Sequence, residues 1–119
     1  VGDKKLKHTK VSQDERGEYE VDLPSDDLHM NICEMNKDNK SEHHRHTYEA
    51  IIYIVEGSGY TMIAGEKIEW KKGDAVYVPP WEWHQHIALS DCKIVSCTNE
   101  NLFKKLNQKN ILEIKEKAS

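Results

Sequence analysis

At 119 residues the chain is sized for one domain that buries roughly two-thirds of its unfolded surface in a single core. Charged residues make up 32% and the formal net charge is -4, so no broad basic face is available to neutralise phosphates, which excludes a nucleic-acid binder. No apolar run approaches a membrane span and no signal-peptide hydrophobic region opens the chain, which begins at Val1 as a processed form or a fragment would.

Residues 1–17 are rich in Lys, Asp, Glu and Ser and read as a solvated arm or a loosely attached edge strand. From Glu18 the pattern changes. Tyr19, Val21 and Leu23 alternate with acidic residues, the mark of a half-buried strand. A turn cluster at 24–27 leads to a second strand over 28–35, then to a polar loop over 36–42. Residues 50–55 are apolar on both faces, which predicts a strand covered on each side, in a sandwich core or at a subunit contact. Gly57-Ser58-Gly59 breaks it. A strand from Tyr60 turns at Ala64-Gly65-Glu66-Lys67 and returns through Trp70.

A tight turn at 71–74, a short strand over 75–78, the stop at Pro79-Pro80 and strands over 84–89 and 93–97 complete the series. Short strands punctuated by Gly and Pro predict an all-β sandwich or barrel over 18–98. In the C-terminal segment, 99–119, Thr98 or Asn99 is placed to cap a helix bearing Leu102, Phe103 and Leu106; Ile111, Leu112 and Ile114 fit a further helical turn or a strand. Cys33, Cys92 and Cys97 match no zinc spacing; reduced thiols, two of them in strand positions, fit a cytoplasmic protein.

Five of the seven histidines fall in two short segments, His43-His44-Arg45-His46 and His84-Gln85-His86. On strands, residues two apart share a face, so His44 joins His46 and His84 joins His86, while His43 points to solvent. Two such strands facing across a barrel interior bring three or four imidazoles to one point, a donor set suited to a divalent metal.

These segments resemble the cupin motifs. The first cupin motif places two histidines at HxH, an acidic residue four further on and a glycine seven beyond; His44, His46 and Gly57 fit it, with Ala50 where the glutamate ligand usually stands. Glu49 is one residue off, on the opposite face, and serves only if a bulge re-aims it. In the second motif Gly73, Pro79 and His84 fit, and Trp81 replaces the second glycine. The resemblance implies a double-stranded β-helix (jelly-roll) barrel. The text His-Arg-His-Thr-x-x-Ala, with Pro-Pro-Trp-x-Trp-His-x-His, is similar to gentisate 1,2-dioxygenase-type cupins, whose iron is held by three histidines. It implies His44, His46 and His84 as metal ligands.

His86 and Tyr48 are the candidates for acid–base or substrate contact. Trp81, Trp83, Tyr60 and Met62, with Tyr48, are candidates for the pocket wall, or else for core packing or a dimer surface. Imidazole ligation suits Fe, Mn, Ni, Cu or Zn, and the resemblance points to Fe. Two functions lead: a dioxygenase-like enzyme on a chelating hydroxy-aromatic or hydroxy-acid, or a non-catalytic module that binds a ligand or metal as a sensor or store; an isomerase or lyase using the metal as Lewis acid is a weaker third. The apolar strand at 50–55 further predicts a homodimer.

Overall fold

The computed structural model describes residues 10–13, 18–106 and 112–116. Its elements in chain order are β1 (Lys10–Gln13), β2 (Glu18–Asp22), β3 (His29–Met35), β4 (His43–His46), β5 (Ala50–Glu56), β6 (Ser58–Ile63), β7 (Glu66–Lys71), β8 (Ala75–Val78), β9 (His84–Ala88), β10 (Cys92–Thr98), α1 (Glu100–Lys105) and β11 (Leu112–Glu116). They form two antiparallel sheets, ordered β1-β2-β3-β10-β5-β8 and β11-β4-β9-β6-β7, which face each other as a jelly roll. The expected all-β barrel with a short C-terminal helix is the fold observed among the described residues.

Period-two patterning positions the core. In β5 the inward set Ala50, Ile52 and Ile54 is buried, and Ile54 packs opposite Ile94 of β10. Val76, Val78, Met35 and Trp70 complete the same cluster. Where β2 and β3 extend the sheet, the inward residues become polar: Glu18, Glu20, His29 and Asn31 line a cavity of about 790 Å³. One sheet thus supplies apolar core at one side and a polar wall at the other.

The outward face of the same sheet is apolar across five strands. Tyr77, Ile51, Cys97, Met30 and Val21 lie in one register row, and Ala75, Tyr53, Val95, Ile32 and Tyr19 in the next. Ile51, Tyr53 and Tyr77 are 55%, 48% and 52% exposed, so β5 is covered on its inner face alone in the single chain.

Two turns need special backbone. Ala64 and Gly65 both have positive φ (49° and 83°), the two-residue turn whose twist matches a β6–β7 hairpin. Gly57 (φ 92°) lies where a Cβ would meet the Asp91 carbonyl and the Cys92 sulfur, so only glycine fits.

Among the described residues the C-terminal segment is helical over α1, whose start is tied by the Glu100 N–H donating to Thr98 Oγ1 at 3.2 Å. None of its residues is buried, and Leu106 is exposed. Beyond it, of the two readings open for Leu112 and Ile114, the strand is the one observed: β11 pairs with β4, Leu112 opposite His46 and Ile114 opposite His44, with a register shift before Glu116. Helix propensity is overridden here because an open sheet edge offers ladder partners that a lone helical turn lacks. Ile111 lies outside the described residues, as does most of the expected arm over 1–17, of which residues 10–13 form the edge strand β1.

Candidate metal centre

β4 and β9 are neighbours in one sheet, not strands facing across the barrel. His44 and His84 are direct cross-strand partners. Their ring centroids are 4.4 Å apart, with His46 to His84 at 4.8 Å and His44 to His46 at 5.3 Å. Adjacent antiparallel partners bring side chains closer than two sheet faces do, so the pairing tightens the cluster that parity alone predicts. One ring nitrogen from each of the three lies within 4.8 Å of the others.

Hydrogen bonds select which nitrogens converge. Each Nδ1 meets a backbone carbonyl two residues away: His44 to Glu42 at 2.9 Å, His46 to Tyr48 at 2.7 Å and His84 to Glu82 at 2.9 Å. A carbonyl can only accept, so each Nδ1 carries the proton and each Nε2 is left with its lone pair, the form a metal requires. Burial pushes His46 below the usual histidine pKa. Burial, then the neighbouring His44 and His86 rings, push His84 down to about 2. Burial therefore favours the neutral form of His46 and His84, and the three-imidazole donor set fits a first-row divalent ion.

Around this cluster the other expected residues divide. Tyr48 stacks flat on His46, centroids 4.0 Å apart and planes 4° from parallel, and lines the cavity. His86 also lines it; burial, then His44 and His46, push its pKa to about 3. Ala50 faces the same cavity. Glu49 is exposed and its backbone N–H donates to Asn99 Oδ1, so no bulge turns it inward, and among the described residues the three-histidine group includes no carboxylate.

Trp81, Trp83, Tyr60 and Met62 do not line the cavity. The two tryptophans instead hold the Arg45 guanidinium from outside, at 4.2 and 4.6 Å, while Arg45 pairs with Glu113 of β11 at 3.2 Å. His43, on the outward face as parity requires, meets the edge of Trp83. Tyr60 lies under Lys67. Trp81 takes φ 60°, the left-handed backbone that the motif glycine would adopt freely, and its N–H donates to the His46 carbonyl at 2.7 Å.

Two further residues escaped the sequence reading, Thr61 and Trp70. Thr61 is fully buried, accepts the Trp70 indole N–H at 2.8 Å and lies 2.8 Å from His86 Nδ1. The signal was present: Gly59, Thr61 and Ile63 share the buried face of β6, and a hydroxyl on such a face calls for polar partners.

Comparison with known proteins agrees with this geometry. A cupin-domain profile (Cupin_2) matches residues 31–97. The chain is 34% identical over 64 residues to a 5-aminosalicylate 1,2-dioxygenase of Comamonas sp, covering 53% of this chain and 17% of that one. It is 43% identical over 49 residues to gentisate 1,2 dioxygenase 1 of Aquipseudomonas alcaligenes, covering 40% and 14%. An uncharacterized protein of Methanocaldococcus jannaschii is 36% identical over 84 residues, 60% of this chain and 67% of that one. The chain thus spans less than a fifth of each of these two dioxygenases.

Among solved structures, the salicylate 1,2-dioxygenase of Pseudaminobacter salicylatoxidans superposes with TM-score 0.76 at 15% identity, over 82% of this chain and 30% of that one. An RmlC-like cupin from Shewanella frigidimarina superposes with TM-score 0.65 at 19% identity, over 82% and 86%. At such identities the likeness is one of fold. With the profile covering more than half of its length, the chain belongs to the cupin family.

Proposed function

We propose that the chain holds a divalent transition metal, iron foremost, through His44, His46 and His84, and acts in dioxygenase-like fashion on a small chelating hydroxy-aromatic or hydroxy-acid. The observation that carries this reading is the shared geometry of the three rings: each Nδ1 meets a backbone carbonyl, which leaves Nε2 as the donor, and one nitrogen of each ring lies within 4.8 Å of the others. A divalent ion there supplies open coordination positions and undiminished positive charge for an anionic chelate and oxygen. The protein's own part is to orient the rings, to keep carboxylates off the cluster through Ala50, and to enclose the small molecule in a cavity that Tyr48 and His86 help to line. The named activities of the dioxygenase relatives support the substrate class.

Elemental analysis of untagged protein, followed by oxygen uptake with gentisate, salicylate and 5-aminosalicylate, tests the proposal. Close to one first-row metal per chain with oxygen consumed supports it. Metal without oxygen consumption favours a sensor or storage cupin, a reading to which the small share of the enzymes' length also speaks. Protein that takes up no metal rejects the metal-dependent enzyme and the metal sensor or store, leaving the non-catalytic cupin that binds a ligand alone.

The assembly we propose is a homodimer joined through the outward face of the six-stranded sheet. Five strands at about 4.8 Å spacing give an apolar face about 24 Å wide, the scale of a standard interface. The same patch on a second copy is its simplest cover. The described cysteines are free and no helix among the described residues is long and apolar enough to cross a membrane, which supports a cytoplasmic setting.

A further inference from the structure

We infer that the end of the cavity built by Glu18, Glu20, His29 and Glu100 selects the small molecule by charge, taking a basic amine on an arm whose other end carries the chelating group. The chelating end rests on the function proposed above; the charge preference of the far end does not.

Register sets the distance between the two ends. His29, Thr98 and Ala50 are partners across β3, β10 and β5, which puts His29 two strand spacings, about 10 Å, from the alanine. On the same inward face Glu20 opposes Asn31 and Glu18 opposes Cys33. Glu100, the first residue of α1, reaches this wall beside Thr98, whose hydroxyl donates to its Oε1 at 3.2 Å. All four residues line the cavity that His44, His46 and Ala50 also line. At about 790 Å³ it is of the size that encloses a drug-sized ligand, with room beyond a one-ring acid at the histidines.

The charges at this end do not cancel. Its three carboxylates meet one ammonium, the more than half exposed Lys104, whose Nζ lies 3.1 Å from Glu100 Oε2. His29 Nε2 lies 2.6 Å from Glu20 Oε2 and 3.6 Å from Glu100 Oε1. Even a protonated His29 therefore leaves one negative charge in excess, and the other charged lining residues, Glu34, Lys40 and Glu42, add no positive balance. Glu20 Oε2 is shielded from solvent and takes no partner besides His29 among the described residues. Asn31 Nδ2 is spent on Glu18, to which it donates at 3.2 Å.

Folding alone does not call for this wall. Along the row from Ile52 through Ser96 and Asn31 to Glu20, the inward face passes from buried core to carboxylate, and shielded carboxylates cost stability unless donors meet them. An ammonium group brings three N–H donors and the missing positive charge together. A carboxylate on the same arm would be repelled.

Calorimetry on zinc-loaded protein with dopamine, ethylcatechol and dihydroxyphenylacetate tests this, because the three share a chelating catechol and differ in the charge of the arm. Wild type is expected to bind dopamine about tenfold more tightly than ethylcatechol, and the acid more weakly than either. Glu20→Gln and Glu100→Gln, each keeping side-chain size, are expected to reduce the dopamine preference with ethylcatechol affinity unchanged. Dopamine bound no better than ethylcatechol by wild type overturns the inference, and this comparison needs no variant to fold. A preference undiminished in both folded variants overturns the assignment to these carboxylates. Wild type that holds no zinc strikes the metal reading alone, and the far end is then read on metal-free protein with phenylethylamine against phenylacetate. Preference for the amine supports the inference there; equal binding, or none, overturns it.

Discussion

Replacing Ala50 with glutamate tests the register on which the metal centre depends. Ala50 is 5% exposed, paired with Thr98 on one side and Val78 on the other, and faces the cavity shared by His44, His46 and His86. Without metal, a glutamate there buries a carboxyl among neutral rings, at a cost of roughly 2 kcal/mol. For a domain of this size that cost lowers the Tm by about 8 °C. With metal, the carboxylate gains a ligand position next to a dication.

We expect metal affinity to rise about tenfold, which at fixed free metal returns about 1.4 kcal/mol to the folded state. The Tm deficit of the variant should therefore shrink when metal is added. Binding of an anionic chelator to the loaded protein should weaken, because the new ligand fills an open position and cancels charge. Chelator competition and calorimetry on wild type, Ala50→Glu and Ala50→Gln separate the charge from the added bulk. Equal metal affinity in the two variants would refute the reasoning and place position 50 out of reach of the cluster.

Further outcomes follow from other parts of the molecule. His84→Ala should remove one of three ligands and lower metal occupancy sharply while circular dichroism stays that of the folded barrel; full occupancy would reassign the third ligand. Tyr53→Lys, which places a charge at the centre of the outward apolar face, should convert a dimer to a monomer by light scattering at micromolar concentration, and a monomeric wild type would reject the interface. Arg45→Ala removes two ring contacts and a half-exposed ion pair and should cost about 1–2 kcal/mol in urea denaturation; a loss under about 0.5 kcal/mol would deny the stack a structural role.

The last outcome concerns pH. Because the folded-state pKa values of His84 and His86 are depressed to about 2 and about 3, the unfolded chain takes up protons first. Stability of metal-free protein is then complete above about pH 6.5 and falls on acidification, by up to about 1.4 kcal/mol per pH unit for each histidine. Urea melts at pH 7.5 and 5.5 that coincide would contradict it.

Local patterning made most of the barrel and the metal cluster legible. Alternation marked β2 and β5, Gly and Pro marked the breaks, and the parity of His44 with His46 and of His84 with His86 placed the rings on one face. What local pattern lacks is the identity of the neighbouring strand. That β4 lies beside β9, and that β11 returns to cover β4, are decisions of long-range pairing, so the facing-strand picture had to yield and the choice between helix and strand at Leu112 and Ile114 was settled only by the partner strand. The tryptophans misled for a related reason. An aromatic near a histidine motif suits a pocket wall or an outer stack equally, and only the position of Arg45 on the outward face of β4 decides between them.

The left-handed backbone at Trp81 bears on how this sequence can change. At φ 60° a residue with a side chain carries about 1–2 kcal/mol that glycine would not, and here the ring offsets it by stacking on Arg45. Positions 45 and 81 are thus epistatic: tryptophan at 81 is tolerable in the presence of Arg45 and costly in its absence. A mutational walk between glycine and tryptophan at 81 runs most easily through chains that already hold arginine at 45. Because the Trp81 N–H also holds the carbonyl of His46, variation at this outer pair is felt at the metal-facing strand.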